Sequence, residues 1–100
     1  MHTSTVLLTL AALVATASAG WKMDVSYDDN TKLSFDGHVN SGCTKFKKTG
    51  AGINNVYFKK STFADTFELF NDDKCKDLGF QGHDGSNPVP DAVYGSYKVY

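Results

Sequence analysis

Apolar and polar residues alternate along several short segments of this chain, most clearly over residues 21–27. Trp, Met, Val and Tyr occupy the odd positions of that segment, and Lys, Asp and Ser occupy the even ones. This alternation is typical of a β-strand with one buried face. Weaker versions of it predict strands over residues 33–37 and 54–60 and a closing strand over residues 92–100. We therefore expect an all-β fold. The closing-strand positions expected to be buried are Val93, Tyr97 and Val99.

Turn-forming residues separate the predicted strands. The sequence Asp-Asp-Asn-Thr at residues 28–31 predicts a hairpin turn, because Asp and Asn side chains bond the backbone ahead of them. Gly37 ends the second arm of that hairpin, where we expect a positive φ. Residues 82–88 have the composition of a loop. Residues 43–48 alternate weakly and fit either an edge strand or a loop. Residues 61–70 fit both helical spacing and strand alternation.

An internal repeat resolves part of this ambiguity. Leu33-Ser34-Phe35-Asp36-Gly37-His38 and Leu78-Gly79-Phe80-Gln81-Gly82-His83 share four of six residues, and each follows an acidic, Asn-containing cluster. The repeat places residues 67–70 where the first predicted strand stands in the first half, so residues 61–70 are predicted to be strand. Repeats this short suit a duplicated β-motif whose halves bury one shared core.

The first nineteen residues predict a secretory signal peptide. An apolar run over residues 6–14 is followed by Ala17-Ser18-Ala19, a small-x-small sequence that signal peptidase accepts. The run is too short to span a bilayer, so we expect no transmembrane segment. We therefore expect an extracellular protein with a signal peptide at residues 1–19 and a single β-sandwich domain at residues 20–100. One motif would occupy about residues 20–60 and the other about residues 61–100.

Cysteine content and charge narrow the possible partners. Cys43 and Cys75 are the only cysteines, and in an oxidising compartment we expect them to form a disulfide, with two free thiols as the alternative. Lysines and acidic residues nearly balance, and arginine is absent. A chain without net positive charge or guanidinium groups is poorly suited to nucleic acid. We therefore expect no nucleic-acid partner.

The duplicated motif resembles the βγ-crystallin superfamily over residues 20–100. The residues that carry the resemblance are Tyr27 with Phe35-Asp36-Gly37, and Phe70 with Phe80-Gln81-Gly82. The resemblance implies two Greek keys that form a small antiparallel β-sandwich and exchange one strand each. It also implies that Phe35 and Phe80 are buried and that Gly37 and Gly82 are equivalent. The signature aromatics are farther apart here than in the superfamily.

The same resemblance brings calcium binding, as a structural role, into consideration. The superfamily's calcium motif is an acidic or amide pair, two free positions and then two hydroxyl residues. The nearest matches here begin at Asn54-Asn55 and at Pro90-Asp91, and both lack the two hydroxyls. The acidic pairs Asp28-Asp29 and Asp72-Asp73 are further sources of hard oxygen ligands. We expect calcium to bind weakly or not at all and expect no other cofactor. The weak calcium candidates are Asn54, Asn55 and Asp91.

Catalytic chemistry has little support in this sequence. No serine lies in a nucleophile-elbow context, and the disulfide accounts for both cysteines. His38 and His83 end the two hexapeptides, where we expect solvated turn residues rather than metal ligands. We therefore expect a protein that is not an enzyme.

A basic segment distinguishes the first half from the second. Residues 43–50 have no counterpart in the second half, and their lysines together with residues 59–60 predict a surface that binds an anionic partner. A solvated edge that discourages strand pairing is the alternative. The predicted binding residues are Lys45, Phe46, Lys47, Lys48, Lys59 and Lys60, with Phe46 as an apolar anchor.

Secreted single-domain proteins similar to this one include microbial killer toxins, antifungal proteins and a metalloproteinase inhibitor, and small fungal effectors are alike in size. The resemblance implies non-enzymatic binding to a target-cell surface, a cell-wall polymer or a host protein, and we expect a monomer. A protease inhibitor is the first alternative, with residues 86–90 as an exposed, proline-stiffened contact loop. A calcium-binding structural protein is the second.

Overall fold

The computed structural model describes residues 20–100, and the predicted signal peptide lies outside that range. No element in this part of the chain is a helix long and apolar enough to cross a membrane. Its regular structure is entirely β. The eight strands are β1 (Trp21–Tyr27), β2 (Lys32–Gly37), β3 (Thr44–Lys45), β4 (Ile53–Lys59), β5 (Phe67–Phe70), β6 (Leu78–Gly82), β7 (Gly85–Ala92) and β8 (Ser96–Val99).

The strands form two four-stranded antiparallel sheets. Sheet A has the order β2-β1-β4-β7, and sheet B has the order β3-β8-β5-β6. The third strand of each half therefore lies in the sheet of the other half, since β3 pairs with β8 and β7 pairs with β4. The expectation of an all-β protein with two antiparallel sheets is confirmed.

Aromatic side chains fill the space between the sheets. The Phe58 ring lies 6.4 Å from that of Trp21 and 5.3 Å from that of Phe67, so one row of rings joins sheet A to sheet B. Met23, Val25 and the other inward residues of β1 are also buried, as the alternation over residues 21–27 predicts. Burial of large apolar surfaces drives the packing of the two sheets.

Gly37 and Gly82 occupy equivalent positions. Gly37 lies opposite Trp21 in the β1–β2 pair, and Gly82 lies opposite Phe67 in the β5–β6 pair. An added Cβ at Gly37 would sit 2.8 Å from the Trp21 ring, and one at Gly82 would collide with the Phe67 ring. The prediction of a positive φ at Gly37 is wrong, because the positive-φ glycines in the described residues are Gly42 and Gly85. Each glycine is required because an aromatic ring of the neighbouring strand lies against it.

Two burial predictions need correction. Phe35 and Phe80 are half-buried and pack against the rim of the core rather than inside it. Both lie on edge strands, β2 and β6, where a side chain has a neighbouring strand on one side only. In the closing strand, Tyr97 and Val99 are buried as expected, whereas Val93 precedes β8 and is 49% exposed.

The predicted loop over residues 82–88 is largely a strand. β7 begins at Gly85 and includes Pro88 and Pro90. It is an edge strand that pairs only with β4. Pro88 and Pro90 are two residues apart, so their backbone nitrogens face the same side of the strand. Alternate backbone nitrogens of an edge strand face away from its neighbour, so proline is tolerated there. The predicted strand over residues 61–70 is also shortened, because only residues 67–70 are paired.

Candidate functional site

Phe46 is a core residue and not the apolar anchor of an exposed surface. It is 4% exposed, and its ring lies 5.8 Å from that of Phe35 and 5.0 Å from that of Tyr97. Its backbone N–H donates to the Gly95 carbonyl at 3.0 Å. A single aromatic among lysines resembles a surface residue, but the chain after β3 turns this side chain inward. The prediction that Phe46 contacts a partner is therefore wrong.

The lysines of residues 43–50 are largely engaged within the protein. The Lys45 Nζ lies 3.5 Å from Asp73 Oδ2, and the Lys48 Nζ lies 2.8 Å from Asp29 Oδ2. Lys47 is exposed, and no acidic group lies within ion-pair distance of it in the part of the chain described. Two of its three lysines are thus paired with the two acidic hairpins, and binding of a partner by this segment stays a prediction.

Lys48 is held in a defined position by two contacts. Besides its ion pair, its Nζ lies 5.3 Å from the centroid of the buried Tyr27 ring, a cation–π arrangement. The Lys48 side chain and the Thr31 hydroxyl both bond the Asp29 carboxylate and lower its pKa to about 2. Thr31 also closes the β1–β2 turn through its backbone N–H, which donates to Asp29 Oδ1 at 3.1 Å.

The predicted disulfide between Cys43 and Cys75 is present, with the two Cα atoms 5.9 Å apart. It joins the start of the basic segment to the β5–β6 hairpin. Ser96, which is fully buried, accepts a hydrogen bond from the Cys75 backbone N–H at 3.1 Å and donates to the Asp72 carbonyl at 2.7 Å. Cys75 itself has a φ of 57°, so its backbone is in the left-handed region.

The calcium candidates do not converge on one position. Asn54 is exposed on β4, and the side-chain amide of Asn55 faces β7, 3.4 Å from the Ser86 hydroxyl. Asp91 lies instead beside Asp28, and their carboxylates approach each other over Gly52, whose added Cβ would strike both. Residues 20–100 contain no group of three or more His, Cys, Asp or Glu side chains that could hold a metal ion. Weak calcium binding stays a prediction.

Asp91→Asn is expected to raise the Tm at pH 7. Desolvation, followed by the charge and hydrogen bond of Asp28, raises the pKa of the Asp91 carboxyl. A raised pKa means that the folded state binds this proton more tightly than the unfolded state, so the protonated carboxyl stabilises the fold in acid and this stabilisation is lost as the pH rises. The amide introduced by Asp91→Asn carries no charge at any pH, so the variant does not lose stability in this way. The difference in Tm between the two proteins should vanish near pH 3.

Thermal melts at pH 7 and pH 3 test this expectation, with Asp77→Asn as a control for loss of one exposed carboxylate elsewhere. An equal rise in Tm from both variants would show a general charge effect and contradict a specific interaction between Asp91 and Asp28. The same melts with millimolar calcium test metal binding. A Tm that climbs by several degrees in the original protein, but not in Asp91→Asn, would overturn the expectation of weak binding.

Residues 86–90 do not form a projecting inhibitory loop. They lie within β7, Val89 is buried, and the Asn87 side-chain amide donates to the Val56 and Gly85 carbonyls. The predicted contact loop is therefore a strand paired with β4 on one side, and protease inhibition stays an untested alternative. His38 and His83 are exposed beyond the ends of β2 and β6, as expected of turn residues.

The outward-facing side of sheet A is a continuous polar surface, which we call the outer face. Strand register sets its rows: Lys59 of β4 lies opposite Lys22 of β1, and Tyr57 lies opposite Asp24. Tyr57 is 50% exposed and is the only aromatic residue in these rows. The three rows are Asp36–Lys22–Lys59, Ser34–Asp24–Tyr57–Ser86 and Lys32–Ser26–Asn55–Pro88.

Lys22 and Lys59 are the exposed cations that the structure brings together. The two ion pairs present in residues 20–100 both involve the basic segment, so neither of these lysines is in one. Like charges directly opposite each other on adjacent strands are destabilising. Lys60 follows the end of β4 and is also exposed, with its backbone N–H bonded to Asp84 Oδ1 at 2.9 Å. Neighbouring exposed lysines of this kind can attract an anionic group.

Lys59 and Lys60 are among the binding residues predicted from the sequence, whereas Lys22 and Tyr57 are not. Alternation over residues 21–27 and 54–60 already places both missed residues on the solvent side of their strands. What local alternation does not show is that β1 pairs with β4 across the sheet. That pairing joins Lys22 with Lys59 and Asp24 with Tyr57, which are more than thirty positions apart in the chain.

Comparison with known proteins assigns no family. No protein-family model, no curated protein and no solved structure matches this chain. Its function is therefore argued from its own residues.

Proposed function

We propose that this protein is a secreted, non-enzymatic binding protein that acts on the anionic surface of a target cell or host, in the manner of small antimicrobial, killer-toxin-like or effector proteins. Its contact surface is the outer face of sheet A, centred on Lys22 and Lys59. The observation that carries the proposal is the juxtaposition of these two exposed lysines, neither of which is in an ion pair within the described residues.

The proposed architecture is a pair of βγ-crystallin-like Greek keys. The strand order supports this, because each half contributes its third strand to the sheet of the other half. The equivalence of Gly37 and Gly82, each against an aromatic ring, supports it further. The Cys43–Cys75 disulfide and the predicted signal peptide support secretion, since disulfides persist in oxidising compartments.

Local charge, rather than net charge, would drive this binding. The whole chain has a formal net charge of −1, so long-range attraction to an anionic surface is weak. Each lysine close to such a surface contributes on the order of 1 kcal/mol, and the effect extends only over a Debye length of about 8 Å in physiological salt. Binding through Lys22 and Lys59 therefore weakens as salt is added.

Replacing both lysines, Lys22→Ser with Lys59→Ser, is expected to weaken binding to intact target cells about thirtyfold, because two contributions of roughly 1 kcal/mol are lost. The measurement is retention of labelled mature protein on microbial cells and host cells at low and physiological salt, together with growth inhibition.

The matched control is Lys74→Ser with Lys76→Ser, two exposed lysines on the β5–β6 hairpin whose loss changes net charge equally. A second comparison replaces Lys45, Lys47 and Lys48, the basic segment. If that triple change abolishes binding while the Lys22 and Lys59 change has no effect, the outer face is not the contact surface. No retention on any cell type would overturn the proposed function itself.

A further inference from the structure

Tyr57 lies at the centre of the outer face among short polar side chains. Its neighbours in register are Asp24 of β1 and Ser86 of β7. Asp24 Oδ1 accepts a hydrogen bond from the Ser34 hydroxyl at 2.6 Å, which holds the carboxylate in place. An ionised carboxylate has about four acceptor sites, so the other oxygen of Asp24 is available to a donor from solution. One half-exposed ring is thus surrounded by preorganised hydrogen-bonding groups.

This combination fits a sugar better than other anionic partners. A sugar ring presents an apolar C–H face that packs on an aromatic ring, and its hydroxyls donate to carboxylates and accept from hydroxyls. A sheet face is broad and nearly flat over a few residues, and a chain of sugar units lies along such a surface. Among the described residues, the outer face brings together an exposed aromatic, a hydroxyl-binding carboxylate and three lysines outside the ion pairs, Lys22, Lys32 and Lys59.

We propose that the outer face binds an acidic polysaccharide, with one sugar ring on Tyr57 and the carboxylate or sulfate of the next unit between Lys22 and Lys59. This inference rests on the proposed function and names the chemistry of its partner. It also gives Tyr57 a role that the basic-surface proposal alone does not require.

The strand geometry sets the required spacing. Tyr57 and Lys59 are two residues apart on the same face of β4, so their Cα atoms are separated by about 7 Å. Lys22 is the register partner of Lys59 on the adjacent strand, which lies about 4.8 Å away. The two lysine side chains therefore start from neighbouring positions on adjacent strands, about 7 Å along the sheet from Tyr57.

A lipid surface fits this face less well. Asp24 and Asp36 are carboxylates on the same face as the two lysines, and insertion into a headgroup layer would carry the cost of desolvating these charges. The most exposed large apolar side chain in the described residues, Phe63 at 74%, belongs to the segment between β4 and β5 and not to these rows. Lipid insertion would require apolar residues on the face itself.

The test measures affinity of the mature protein for polygalacturonate and dextran sulfate, with neutral dextran and phosphatidylserine vesicles as the alternative ligands. Tyr57→Ala is expected to lose about tenfold in affinity for the acidic polysaccharides, as aromatic stacking positions do in other ligand sites. Tyr57→Phe should retain affinity because the ring remains. Phe63→Ala, which removes an exposed aromatic elsewhere, should change nothing.

Charge is tested separately by Lys22→Ser with Lys59→Ser, which should lose about thirtyfold on both acidic polymers. Near-ultraviolet circular dichroism and Tm confirm that each variant is folded. Equal affinity for neutral dextran, tighter binding to the vesicles, or an unchanged affinity in Tyr57→Ala would overturn the inference. Retention on target cells without affinity for either acidic polymer would also overturn it while leaving the proposed function standing.

Discussion

Phe58→Ala is expected to lower the free energy of unfolding by about 3–5 kcal/mol, which is the upper range for a single core substitution. Phe58 is fully buried, and its ring contacts those of Trp21 on the same sheet and Phe67 on the opposite sheet. Its removal opens a cavity at the point where the two sheets are joined. Urea denaturation followed by tryptophan fluorescence measures the change, because Trp21 is the only tryptophan.

The informative control is Phe35→Ala. Phe35 is half-buried on an edge strand, and burial free energy scales with the area removed from water, so its loss should cost roughly half as much as that of Phe58. Equal costs for the two variants would contradict the placement of Phe35 at the rim. The sequence alone predicts the full effect for Phe35 and Phe80, because the repeat marks them as signature residues.

Alternation predicts strands well where one face is buried and the other is polar. Residues 21–27 are β1 in full, and the register of β2 and β6 against their hairpin partners follows the internal repeat. The disulfide is predictable because the chain has only two cysteines. These features depend on neighbouring residues or on composition, and both can be read from the sequence.

Features that depend on the other side of a sheet cannot be predicted in this way. Composition marks residues 82–88 as a loop, yet an edge strand accepts Pro88 and Pro90 because its outer backbone groups need no partner. Lysines on both sides of Phe46 suggest exposure, although the side chain packs against Tyr97. In both cases long-range pairing overrides the local composition.

The candidate site also depends on strand pairing that the sequence does not reveal. Lys59 is predictable because it is basic and lies at the end of a predicted strand. Lys22 and Tyr57 acquire their importance only when β1 and β4 are paired, since that pairing places them beside Lys59 and Asp24. Local alternation fixes which face a residue occupies, whereas the ligand contacts a surface built from several strands.

Removing the disulfide with Cys43→Ser and Cys75→Ser is expected to lower the free energy of unfolding by about 4 kcal/mol. The two cysteines are 32 residues apart, and cross-linking a loop of that length reduces the entropy of the unfolded chain by approximately this amount. For a domain whose total stability is about 5–15 kcal/mol, the loss should bring a large unfolded fraction at 37 °C. Urea denaturation at low temperature keeps the variant measurable.

The structure also supplies the competing explanation. Phe46, Lys45 and Lys48 hold the basic segment by packing and ion pairs that do not depend on the bridge. A loss of less than about 1 kcal/mol from the double serine variant would contradict the entropic estimate. Ser96→Ala separates the two cases: it keeps the disulfide but leaves the Cys75 N–H and the Asp72 carbonyl without their partner. A larger loss from Ser96→Ala than from the cysteine variant would show that hydrogen bonding, and not the cross-link, fixes the β5–β6 hairpin.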